Sequence, residues 1–171
     1  GKSSVADFYY QILNLSKKRV ASIGTIGVQS NNKKKEAGNT TLDPIELTKI
    51  INNLGLKKID HLILEASSHG LKQNRLDGLS FDIGIFTNLS HDHLDYHKNS
   101  KNYLNSKLYL FRYLVKKGGY LISDSTIPQF KEIKKISKKK NLRLNSVFGK
   151  NSDLELISNI YFKDYQILKI K

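Results

Sequence analysis

The chain has 171 residues, 39% of them hydrophobic, and its 29 basic against 15 acidic side chains leave a net charge of +14. With no cysteine, disulfides and thiolate metal sites are excluded, and His, Asp and Glu remain as ligands for a hard cation. No apolar run approaches the ~20 residues that span a bilayer, and this length and composition support one buried core, so a soluble intracellular protein is expected.

The positive charge raises the question of nucleic acid, but only Arg19, Arg75, Arg112 and Arg143 are arginines. Phosphate and base-edge readers lean on arginine forks, and single-strand binders interleave aromatics with basic residues on an exposed face. Here the lysines form short clusters at Lys17-Lys18, Lys33 to Lys35, Lys116-Lys117 and Lys138 to Lys140. The aromatics fall mainly in apolar runs. The expectation is no nucleic acid and no membrane partner. The chain opens on Gly1 and contains no methionine, which reads as a piece of a longer protein.

Gly1-Lys2-Ser3-Ser4 runs directly into a helical pattern of Val5, Phe8, Tyr9, Ile12 and Leu13. A GK[ST] before a helix is either an ordinary helix cap or the second half of a phosphate-binding loop. In the second case Lys2 reaches the terminal phosphates and the Ser3 hydroxyl holds Mg²⁺. Arg19 to Ile23 reads as a strand closed by the loop Gly24-Thr25-Ile26-Gly27, and the polar, lysine-rich stretch from Gln29 to Asn39 reads as an exposed loop. Asn39-Thr40-Thr41 reads on local grounds as a turn. Asp43 as N-cap with Pro44 behind it starts a helix carrying Leu47, Ile50, Ile51 and Leu54.

His61 to Leu64 is an apolar strand that delivers Glu65 at its C-terminal end, where ligands meet the sheet in α/β proteins. A carboxylate there is placed to hold Mg²⁺ directly or through water. Phe81 to Phe86 is the next strand, and it ends in Thr87-Asn88-Leu89. The segment HDHLDYH, His91 to His97, then gathers three of the five histidines with Asp92 and Asp95. Ser100 to Val115 has helical spacing, with Tyr103, Leu104, Leu108, Phe111, Leu114 and Val115 as one apolar stripe and Lys107 inside it. Two readings of Lys107 stay open. Its stem packs while its ammonium snorkels to water, or a desolvated neutral amine captures carbon dioxide as a carbamate that binds Mg²⁺ as a carboxylate does. Strands at Gly119 to Ile122 and Arg143 to Phe148 flank a basic helix from Pro128 to Lys140. A hairpin closes the chain, pairing Ile160-Tyr161-Phe162 with Tyr165 to Ile170 across Lys163-Asp164.

Three segments in order, GNTTLDP at Gly38 to Pro44, LEASSHGLKQNRLDGL at Leu64 to Leu79 and FTNLSHDHLDYH at Phe86 to His97 followed by Lys107, resemble the central ATP-binding domain of the Mur ligase family. The likeness covers nearly the whole chain. It is strongest to the branch that adds the third amino acid to UDP-N-acetylmuramoyl-L-alanyl-D-glutamate, a cytoplasmic step of bacterial peptidoglycan synthesis. The fold it implies is α/β of the P-loop type, a mainly parallel sheet flanked by helices with a small C-terminal antiparallel extension. Residues 1–150 would form the body, cut at its start inside the phosphate loop, and 151–171 the antiparallel unit.

Roles follow by position in the family pattern. Gly1, Lys2, Ser3 and Ser4 match the end of the phosphate loop, and Ser3 and Glu65 match ligands of the Mg²⁺ that bridges the ATP phosphates. His93 and Lys107, the latter as a carbamate, match a second metal site, and Asn88 lies near the nucleotide. Asn39, Thr40, Thr41, Ser67, Gln73 and Arg75 match contacts to the UDP-muramoyl dipeptide, while Leu42 stands where the family usually has proline. The implied reaction is phosphorylation of the D-glutamate carboxylate by ATP, then attack of the incoming amine on the acyl phosphate. Diaminopimelate is expected over lysine as the incoming residue. The resemblance also implies N- and C-terminal domains outside this sequence, a monomer, and no activity for the piece alone. The neighbouring alternatives are other ATP-dependent amide ligases of the folylpolyglutamate or cyanophycin type, against which Asn39-Thr40-Thr41 and Ser67-Ser68-His69 argue.

Overall fold

The computed structural model describes residues 1–30, 33–89 and 94–171. The chain divides into two compact units, Gly1–Asp77 and Gly78–Lys171.

In the first unit, helix α1 (Lys2–Leu15) leads into β1 (Val20–Gly24), all five of whose residues are buried. Strand β2 (Gly27–Ser30) returns antiparallel to it across the two-residue turn Thr25-Ile26, and β3 (Lys33–Lys35) pairs with β2. Gly27, at φ +107°, takes a backbone conformation that a side chain would strain. Part of the run expected as loop is therefore strand. Backbone pairing needs no apolar pattern, and a row of exposed lysines is a common way to blunt a sheet edge, so polarity concealed the hairpin. Helix α2 (Pro44–Leu56) starts where Asp43 accepts from the N–H of Ile45 at 2.9 Å, and β4 (His61–Leu64) then lies parallel to β1, Val20 opposite His61 and Ile23 opposite Leu64. The strand order is β3-β2-β1-β4. Helix α1 packs against β1 and β4, and the short α3 (Ser68–Lys72), N-capped by Ser67, follows.

The second unit carries β5 (Phe81–Phe86), α4 (Leu94–His97), α5 (Ser100–Tyr109), β6 (Val115–Asp124), α6 (Phe130–Lys140), β7 (Arg143–Phe148), β8 (Leu154–Tyr161) and β9 (Gln166–Ile170), in sheet order β5-β6-β7-β8-β9. The first three pairings are parallel and the last antiparallel. The parallel strands flanked by helices and the antiparallel tail are those expected, with the strands lying in two sheets. The predicted helix to Val115 ends earlier. After Tyr109 the coil widens into a π-helical turn, Leu110–Leu114, and Val115 already pairs with Phe81. Register then shifts before Ile83 meets Tyr120, and glycine permits the bulge. Gly118 sits at φ +77°, and a Cβ on Gly119 would press on the carbonyls of Asp82 and Lys116.

The core of this unit joins Phe86, Leu108, Phe111, Val115, Leu121, Ile133, Ile136 and Leu142. Helix α6 ends at Asn141 in the left-handed conformation, with Lys138, Lys139 and Lys140 in the last turn where the helix dipole favours cations. Strand β9 is exposed along its whole length. Among the described residues no helix is long and apolar enough to cross a membrane.

Candidate active site

The first unit builds one centre around a carboxylate. Glu65 follows β4, and its N–H donates to Ile23 O at 2.9 Å, extending the parallel pairing by one step. Its side chain is 4% exposed, yet it has three donors. Ser3 Oγ gives to Oε2 at 2.9 Å, Thr25 N–H to Oε1 at 3.0 Å and Thr25 Oγ1 to Oε2 at 3.2 Å. A charge taken out of water needs such partners. Gly24 makes room, since a Cβ there would collide with the Glu65 carboxyl group.

Ser3 arrives from the first turn of α1, which contains no acidic residue and does contain Lys2. A cation at the positive end of a helix runs against the dipole. The arrangement becomes favourable once an anion such as phosphate binds there. The side-chain groups that meet here, the Glu65 carboxylate and the Ser3 and Thr25 hydroxyls, offer oxygen alone, and among the described residues no three His, Asp or Glu side chains gather as a closed cage. That set fits Mg²⁺, which keeps several waters and uses one or two carboxylates beside substrate phosphates.

The loop before α2 is tied to the same centre. Thr41 is 2% exposed, and its hydroxyl lies 2.9 Å from Glu65 O and 3.0 Å from Ser67 Oγ while accepting from Ser67 N–H at 2.9 Å. Ser67 Oγ in turn accepts from Gly70 N–H, and Gly70 is required because a Cβ would strike the Thr41 side chain. Arg75 donates to Thr41 O at 2.8 Å. Thr40 Oγ1 stands 3.0 Å from Thr25 Oγ1. So Ser3, Glu65, Thr40, Thr41, Ser67 and Arg75, scattered over the sequence, form one hydrogen-bonded group. Thr41 serves it from within, with its hydroxyl already engaged. Lys2 is half-buried, Ser4 accepts from the Gly1 amine at 3.4 Å, and Asn39 and Gln73 are exposed. Leu42, in the usual proline position, is 1% exposed and belongs to the core.

The second unit builds a different centre around Lys107. The residue is half-buried on α5, and its Nζ donates to Asn88 O at 2.6 Å. The ring of Tyr103 lies 4.8 Å from that nitrogen and the ring of Phe86 5.9 Å. A carbonyl oxygen and two aromatic faces are the surroundings of an ammonium. Behind Tyr103 stands His97, 3% exposed, its ring centroid 5.1 Å from that of Tyr103 and its Nδ1 3.4 Å from Ser106 Oγ. Asn88 Oδ1 accepts from Thr87 Oγ1 at 3.3 Å. His93, the expected second metal ligand, lies outside the described residues, as do His91 and Asp92.

Sequence reasoning passed over Thr25. Its signal was its place, the first residue beyond an apolar strand whose neighbour delivers Glu65, in a glycine-bounded turn.

A family model described as the Mur ligase middle domain matches residues 1–169. The UDP-N-acetylmuramoyl-L-alanyl-D-glutamate--2,6-diaminopimelate ligase of Bradyrhizobium diazoefficiens is 43% identical over 153 residues, 90% of this chain and 31% of that protein. A solved structure of a ligase of that name superposes with a TM-score of 0.86 at 23% identity, covering 97% of this chain and 34% of its own. The MurF ligase of Thermotoga maritima, solved in complex with ADP, gives a TM-score of 0.64 at 14% identity over 99% of this chain and 35% of its own. The chain thus spans about a third of the length of these proteins.

Proposed function

The chain belongs to the Mur ligase family as its middle domain, and from that premise we propose that it is the ATP-binding part of a ligase joining a third amino acid, diaminopimelate, to UDP-N-acetylmuramoyl-L-alanyl-D-glutamate. The observation that carries this reading is Glu65, a buried carboxylate at the end of a parallel strand that receives the Ser3 hydroxyl from the first turn of α1.

ATP passes its γ-phosphoryl group to the D-glutamate carboxylate, and the incoming amine then displaces phosphate from the acyl phosphate. Two anions must approach in the first step, so the catalytic task is mostly positioning and charge neutralisation. Glu65 and Ser3 would hold Mg²⁺, which would supply part of that neutralisation. Lys2 and the N-terminal turn of α1, with Gly1, Ser3 and Ser4, receive the phosphates, and Asn88 stands beside the nucleotide. Asn39, Thr40, Ser67, Gln73 and Arg75 face the sugar-peptide, with Thr41 holding their loop to Glu65. Lys107, as a carbamate, and His93 would hold a second Mg²⁺. The carbamate nitrogen keeps one N–H, so its bond to Asn88 O can survive the modification while the cation–π contacts with Tyr103 and Phe86 are given up.

The complete enzyme is a cytoplasmic bacterial monomer whose N-terminal domain holds uridine and whose C-terminal domain closes over ATP and the amino acid. This chain alone is inactive. The test is ADP and phosphate release by the full-length enzyme. Turnover is expected only with UDP-muramoyl dipeptide, Mg²⁺ and diaminopimelate together, and lysine supplied in a parallel reaction is expected to be poor. Turnover with a folate in place of the nucleotide-sugar would move the chain to another amide ligase.

A further inference from the structure

Thr25 sits at the tip of the β1–β2 hairpin and touches two groups to which the proposed reaction gives separate duties. Its backbone N–H donates to Glu65 Oε1 at 3.0 Å, and its hydroxyl lies 3.2 Å from Glu65 Oε2 and 3.0 Å from Thr40 Oγ1. A hydroxyl carries one proton. When Thr25 gives that proton to Glu65, it can engage Thr40 only as an acceptor, and the Thr40 proton is turned inward. When Thr25 gives it to Thr40, the chain of hydroxyls runs the other way. The Thr40 proton is then available to a ligand.

The choice depends on Glu65. Its Oε2 is the oxygen on which both the Ser3 and the Thr25 hydroxyls converge, so it is the oxygen whose partners must change when a cation binds. A carboxylate neutralised by a divalent cation is a weaker acceptor, and the Thr25 proton is released toward Thr40. The backbone N–H of Thr25 takes no part in the reversal and keeps Oε1 in place.

We propose that Thr25 is a positioning residue whose single hydroxyl proton couples cation binding at Glu65 to binding of the acceptor-rich, anionic sugar-peptide at Thr40. The proposal rests on the functional reading above, which assigns those two ligands. The coupling is positive, because a cation on Glu65 turns Thr40 into an outward donor. By linkage the sugar-peptide must tighten the cation by the same factor.

The experiment uses the full-length ligase and Mn²⁺ as a spectroscopic stand-in for Mg²⁺, titrated by electron paramagnetic resonance with and without UDP-N-acetylmuramoyl-L-alanyl-D-glutamate. In the wild type the sugar-peptide is expected to tighten Mn²⁺ by at least about fivefold, the lower end of ordinary coupling between sites. Thr25→Ser keeps the hydroxyl and should keep the effect. Thr25→Val keeps the backbone amide and the side-chain shape, so it should bind each ligand separately while the mutual effect disappears. If Thr25→Val retains the coupling, or the wild type binds both ligands without any, the role of Thr25 is overturned. A wild type that binds Mn²⁺ but not the sugar-peptide overturns the functional reading itself, and this inference with it.

Discussion

The two centres solve opposite electrostatic problems. Around Glu65 the first unit collects two hydroxyls, which can rotate, and a fixed backbone amide, so that a buried negative charge is held by neutral donors. Around Lys107 the second unit collects a carbonyl and two aromatic faces, which suit a positive charge. In the proposed reading the first centre takes Mg²⁺ as it stands. In that reading the second would have to pass from ammonium to carbamate before it served the same ion. They also rest on different foundations. Thr41 and Ser67 brace the Glu65 centre by hydrogen bonds, whereas α5 beneath Lys107 stands on the packed core of Phe86, Leu108 and Phe111.

The largest test of that contrast is chemical. In the full-length enzyme Glu65→Gln keeps the shape and removes the charge, and kcat should fall by about 10²–10³, the scale of losing one preorganised electrostatic group. Lys107→Ala should fall comparably, but added acetate is expected to restore part of the rate by filling the vacated space with a carboxylate. Lys107→Glu should retain some activity without acetate. Near-wild-type turnover of Lys107→Ala would end the carbamate proposal and leave the lysine as a packed, snorkelling side chain.

The difference in foundation predicts two stability effects. Phe111→Ala empties a site that is 1% exposed and should cost about 3–5 kcal/mol, the range for a fully buried phenylalanine. Thr41→Val preserves shape but strands the half-buried Ser67 N–H, and about 1 kcal/mol is expected, the lower end for an unsatisfied donor. Thermal or urea unfolding of each variant measures both. An order reversed, with Thr41→Val the more damaging, would mean that the hydrogen-bonded unit carries more of the stability than its packing suggests.

The smallest effect is a pH dependence in the second unit, at Asp153. Asp153 Oδ2 accepts from the Ser146 N–H and hydroxyl, each at 2.7 Å, and those bonds hold its carboxyl below the usual carboxylate range. A lowered folded-state pKa contributes stability that is present above the unfolded value near ~3.9 and is lost as pH falls through the folded value. The side chain is exposed, so screening keeps the contribution slight. Asp153→Asn should flatten only this acid limb of the stability profile. An unchanged profile would show that the bond contributes nothing measurable.

The sequence alone determined the parts whose cause is local. Alternation and apolar runs marked β1, β4, β5 and β7, Asp43-Pro44 marked the start of α2, and Glu65 could be named because a strand of four residues ends just before it. The ordered segments around Asn39, Ser67 and Asn88 identified the family before any coordinate did. What the sequence could not decide were relations between distant groups. The lysine-rich β2–β3 hairpin has no apolar signature, because its pairing is made by backbone, and the early end of α5 depends on Val115 finding Phe81 across the sheet. Thr25 looked like an ordinary turn residue. Its role exists only because Glu65, forty positions away, folds back to accept two of its donors while Thr40 faces its hydroxyl. A hydrogen bond depends on distances of a few tenths of an ångström, and only tertiary structure sets those between residues so far apart in the chain.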